Sequence, residues 1–151
     1  MKFDLPLADR HCGDCQACCF GLGVHEINKP MNQPCQHQCP TGCGIYNERP
    51  ESCRTYQCMW LDGTVPGDER RRPDKLGVIF DRTCTDPRIV VCREARPGAI
   101  ESEQVKYVIK WFTDRNKAVY CSYIDGKRAV HGPRWVHELF QQVQEVSIGG
   151  N

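Results

Sequence analysis

The residues most able to do chemistry in this chain are four cysteines near its start, Cys12-x2-Cys15-x2-Cys18-Cys19. A C-x2-C turn brings two thiolates to one ion, while the backbone N–H groups between them can donate to the sulfurs. A third cysteine at the same spacing also matches the C-x2-C-x2-C run of bacterial iron–sulfur proteins. Cys18 and Cys19 leave the backbone in different directions, so they can serve two ions, or one of them can serve the core. A second constellation follows: Cys35-Gln36-His37-Gln38-Cys39-Pro40, then Gly42-Cys43-Gly44-Ile45-Tyr46, then Arg49-Pro50-Glu51-Ser52-Cys53-Arg54-Thr55-Tyr56-Gln57-Cys58. Twelve cysteines in 151 residues is the outlying number of the composition. In a secreted chain such density would mean disulfides, and in a reducing cytosol it means metal. The opening Met1-Lys2-Phe3-Asp4-Leu5-Pro6 is charged and broken by proline, unlike a signal peptide, so the expectation is a cytoplasmic chain that binds metal through thiolates.

The order of these motifs resembles the CxxCxxCC (YkgJ-type) cysteine-cluster family, whose name leaves its metal open between zinc and iron. The family pattern is an N-terminal CxxCxxCC, a later Cys, then GC-x-IY-x2-RP-x2-CR and a last Cys close behind, which here reads Cys53-Arg54-x3-Cys58. The resemblance is close over about residues 12–61 and weak through Pro73-Asp74-Lys75-Leu76-Gly77 and Arg96-Pro97-Gly98-Ala99. It extends to the cysteine-rich part of flagellin lysine methylases, and most members have no assigned activity. It implies eight metal-binding residues: Cys12, Cys15, Cys18, Cys19, Cys35, Cys43, Cys53 and Cys58. Eight thiolates make two four-ligand sites, as zinc or a 4Fe-4S cluster requires, with zinc slightly preferred here. Cys39 is additional to the pattern, and a nine-thiolate cluster of three zinc ions is the alternative. His11 and His37 are possible substitute ligands.

Four thiolates on a divalent zinc leave two net negative charges, and Arg49 or Arg54 could offset them. Tyr46, Tyr56 and Trp60 read as local packing residues. Cys84, Cys92 and Cys121 fall in or beside apparent strands and read as buried free thiols rather than ligands. No phosphate loop, G-x-S-x-G or HExxH is present, and no catalytic residue is assigned. Closed four-cysteine sites also leave no open position for a catalytic water.

These ligands must be positioned by a segment with few aliphatic residues. Residues 1–62 lack the apolar surface to order themselves, and metal ligation can supply the deficit, about 10 kcal/mol or more for a structural zinc. Residues 63–151 carry the regular periodicity. Paired strands are expected around Leu76–Phe80 and Ile89–Cys92. A helix capped by Ser102 is expected to run to about Asp114, with Val105, Val108, Ile109 and Phe112 on one face. A hairpin is expected at Asp125-Gly126. A final helix over about 134–146 would bury Trp135, Leu139, Phe140, Val143 and Val146. The stretch 64–73 reads as an exposed connection. The expected fold is therefore α+β: a small cysteine-rich, metal-organised module over 1–62, packed on a small α/β sandwich-like part over 63–151 as one compact unit.

With a net charge of +1 there is no global field to select nucleic acid, and Arg70-Arg71-Arg72 lacks the interleaved aromatics that stack bases. No apolar run approaches the roughly 18 residues of a membrane span. A protein partner is compatible with the sequence, which names none.

Overall fold

The computed structural model describes residues 9–83 and 86–139. The chain is α+β. The cysteine-rich half forms short elements: α1 (Ala17–Gly21), a two-residue ribbon of β1 (Gln38–Cys39) and β2 (Gly42–Cys43), and α2 (Glu51–Thr55). After α3 (Pro73–Leu76) comes a four-stranded sheet of β3 (Val78–Arg82), β4 (Ile89–Glu94), β5 (Ala118–Ser122) and β6 (Arg128–His131), in the order β3-β4-β5-β6. The two outer pairings are antiparallel and the central β4–β5 pairing is parallel. A parallel pair needs a crossover, which α4 (Glu103–Thr113) supplies.

The periodic segments form as their patterns require. Ser102 caps α4, its hydroxyl oxygen accepting from the Val105 N–H at 3.3 Å. The face of Val105, Val108, Ile109 and Phe112 is buried. Gly77 ends α3 in the left-handed region at φ 84°, where a Cβ would come within 2.7 Å of the Ala99 side chain. That bend turns Leu76 and Gly77 out of the strand expected for them.

Strand β3 is buried on both sides. Phe80 points to α4, its ring 5.5 Å from that of Phe112. Ile79 points the other way by strand alternation and meets α1. Gly21 has no side chain there, and an added Cβ would sit 3.1 Å from Ile79 Cδ1. One apolar core consequently runs from Ala17, Cys58, Met59 and Trp60 through β3 to α4. The register Phe80↔Cys92↔Cys121 places both cysteines on the α4 face of the sheet, fully buried and free.

The stretch 64–73 is not the exposed connection expected of it. Val65 is fully buried, and Arg10, only 5% exposed, donates to the carbonyls of Trp60 and Val65, both at 2.7 Å, and of Gly67 at 3.1 Å. Arg72 is also buried and pairs with Asp14 and Asp74, each at 2.6 Å. Buried guanidinium groups thus turn a polar loop into an internal strut. Residues 134–139 are helical. Val136, absent from the expected face, is the fully buried residue. Trp135 is half-buried, donating to Asn116 Oδ1 at 3.0 Å beneath the Arg88 guanidinium. The expected Phe140, Val143 and Val146, like Cys84, lie outside the described residues.

Truncating Ile79 tests whether the two halves share a core. Ile79→Ala should cost about 2–5 kcal/mol in chemical denaturation, as a buried aliphatic truncation does. A loss under about 1 kcal/mol would mean that β3 and α1 do not depend on each other.

Candidate metal centre

The cysteine-bearing segments are joined by their own backbone. Cys12 and Cys15 flank a turn in which the Cys15 N–H donates to the Cys12 carbonyl at 2.8 Å. Gly13 lies within it at φ 53°. The turn leads into α1, which carries Cys18 and Cys19. The Cys35 N–H donates to the Cys19 carbonyl at 3.0 Å, bringing the second cysteine segment against the first. The His37 N–H approaches Cys35 Sγ at 3.5 Å, the kind of N–H to sulfur contact that supports a bound thiolate. α2 presents Cys53, and the chain beyond it brings in Cys58.

These segments enclose one cavity of about 610 Å³. Cys12, Cys15, Cys18, Cys19, Cys35, Cys43, Cys53 and Cys58 all line it. Cys39 does not, and the ribbon explains why. Its register partner is Gly42, so strand alternation puts it on the opposite face from Cys43. Its sulfur lies 3.4 Å from Thr41 Oγ1 instead. Cys92 and Cys121 are across the sheet. His37 is on the cavity wall, whereas His11 is exposed and off it.

The thiols perturb one another in a pattern that divides them. Cys18 shares a hydrogen bond with Cys19, which raises Cys18 and lowers Cys19 to about 6; burial and the sulfurs of Cys19, Cys15 and Cys12 push Cys18 further up. Burial raises Cys15 to about 11. Burial raises Cys58 as well, with Cys12 adding to it. Cys53 is raised by burial and then by Cys19, Glu26, Cys35 and Cys43. Cys12, Cys15, Cys18 and Cys58 thus form one neighbourhood and Cys19, Cys35, Cys43 and Cys53 another, and the two touch through Cys18-Cys19 and through Cys12 and Cys19. Each draws on early and late parts of the segment, and the pair Cys53 and Cys58 is split between them.

Among the described residues, no three His, Cys, Asp or Glu groups stand together as a ready grip for one ion. The wall nonetheless suits a thiolate-bound metal. Most of these thiols are half-buried, with Cys58 buried and Cys12 exposed, and several raise each other's pKa, a repulsion that a cation relieves. The Tyr56 hydroxyl is buried on the same wall with no hydrogen-bond partner among the described residues. Burial, with Asp81, Cys58 and Cys18 nearby, raises its pKa and keeps it a neutral donor. An orphaned donor beside sulfur is a group that a bound thiolate would satisfy.

Of the other residues singled out from sequence, Trp60 is buried core, its ring Nε1 donating to the Asp68 carbonyl at 3.1 Å. Tyr46, expected to pack, is 61% exposed at the cavity rim with the Arg49 guanidinium stacked 3.8 Å over its ring. A short 3₁₀ turn over Tyr46–Glu48 directs it outward. Arg49 also lowers the pKa of Cys12, against the larger effect of burial. Arg54 is exposed at the rim. Sequence reasoning missed Lys29, a buried lysine on the wall; a single Lys in a turn-rich stretch carries no signal of its own.

No protein family, curated protein or solved structure matches this chain in comparison.

Tyr56→Phe should lower the stability of the metal-loaded protein by about 1 kcal/mol, the loss of one hydrogen bond to sulfur, and leave the metal-free chain unchanged. Denaturation with and without chelator checks this. An equal loss in both states would show that the hydroxyl has another acceptor, such as Asp81 beside it.

Proposed function

We propose that this chain is a metal-binding protein of the CxxCxxCC type, its metal bound by the eight thiolates of one cavity. The observation that carries the reading is the convergence itself. Eight cysteines drawn from four separate segments line one cavity, and the ninth faces away. The two neighbourhoods support two four-thiolate sites tied together at Cys18-Cys19.

Of the two metal chemistries, zinc is preferred. Eight thiolates divide into two closed four-ligand sites, each of which holds one zinc. Zinc gives a structural, interaction or metal-handling role. An iron–sulfur cluster on the same cysteines would instead bring redox chemistry suited to an accessory of an enzyme. All eleven described cysteines are free, in keeping with a reducing cytoplasm, and no helix among the described residues is long and apolar enough to cross a membrane.

Metal and sulfide analysis of anaerobically purified wild type and Cys39→Ser tests the reading. Colourless protein with two zinc ions per chain, equal in both, is the expected result. Iron with inorganic sulfide keeps the thiolate site and replaces the single ions by a cluster. Folded protein without metal, or metal lost with Cys39, contradicts the eight-cysteine cavity.

A further inference from the structure

Lys29 is held in place by a closed turn. Val24 and Lys29 exchange backbone hydrogen bonds, Val24 N–H to the Lys29 carbonyl at 2.9 Å and the reverse at 3.0 Å. The chain between them makes one 3₁₀ turn, His25–Ile27, and Asn28 reverses it in the left-handed region at φ 52°. Lys29 is 5% exposed and lies on the wall of the cysteine cavity. Its ammonium donates to the carbonyls of Phe20 and Leu22 at the end of α1. An ammonium has three N–H groups, and the third has no acceptor among the described residues. No described carboxylate pairs with it. Burial lowers the Lys29 pKa, and the groups that oppose this are the sulfurs of Cys35, Cys19, Cys18 and Cys53. A buried cation needs a charge to offset it, and these sulfurs, once ionised on a metal, would supply it.

We propose that Lys29 is the counter-cation of the thiolates of Cys19, Cys35 and Cys53, beside Cys18, its fixed charge offsetting the excess negative charge of thiolate-bound metal and its third N–H directed to sulfur. The proposal rests on the metal reading above. It differs from a plain helix cap in what each substitution removes. Lys29→Gln keeps an N–H donor for the α1 carbonyls and loses the charge, whereas Lys29→Arg keeps the charge.

Cobalt(II) titration of the metal-free chain, at fixed pH and low salt, reads the difference through thiolate-to-cobalt charge transfer. The wild type should take two ions. Lys29→Gln should bind one of them about tenfold more weakly, the loss of one buried favourable charge, while Lys29→Arg stays within about threefold of wild type. Equal binding by wild type and Lys29→Gln overturns the counter-cation, as does an equal loss in both variants. A wild type that takes up no cobalt sinks the metal reading and this proposal together. Should Lys29→Gln not fold, nitrogen NMR of the wild-type lysine ammonium groups decides. One protected signal that shifts on metal loading is expected, and no shift overturns the proposal.

Discussion

Eight thiols cannot ionise cheaply around one half-buried cavity. Burial alone lifts Cys12, Cys15 and Cys58 above the usual thiol range, and each thiolate formed would raise its neighbours further. A multivalent cation reverses that sign, turning mutual repulsion into shared attraction. On the proposed reading, the N-terminal half is built around this constraint. Its helices are five residues long and its ribbon two residues a strand, too little regular structure to order it without help. In the proposed reading, thiolate-bound metal adds to the part of the apolar core that Ala17, Cys58, Met59 and Trp60 supply.

The sheet supplies the rigid side of this arrangement. Ile79 lies on the cavity wall and Phe80, its neighbour in β3, packs on α4, so one strand couples the cavity to the conventional core. The Met59 N–H donates to the Phe80 carbonyl at 2.9 Å and fixes Cys58 next to it against the strand. Arg10 and Arg72 bind the early turn and the 64–73 stretch to the same body. The cavity is thus anchored on rigid elements at one end and closed by short turns at the other.

Much of this was legible in the residues, for reasons that differ by element. The helix after Ser102 and the hairpin at Asp125-Gly126 rest on local chemistry, a cap and a turn, and local chemistry survives tertiary context. Cys39 could be set apart only as surplus to a pattern; its outward direction depends on the register of a ribbon too short to show periodicity. The burial of 64–73 was hidden because its anchors are arginines from elsewhere, Arg10 some fifty residues away in sequence. Arg-Arg-Arg reads as solvated until Arg72 is seen to meet Asp14 across that distance. The role of Val136 was missed because Trp135 is the larger apolar residue; the ring found Asn116 and Arg88 at the surface instead. Lys29 is the extreme case, since its burial follows from a turn that only the folded backbone defines.

Amide hydrogen exchange of the purified protein, with and without a strong chelator, tests most directly whether metal organises the cysteine-rich half. Protection over residues 12–61 should collapse on chelation, while β4, β5 and α4 keep theirs. Equal protection of residues 12–61 in both states would contradict the account.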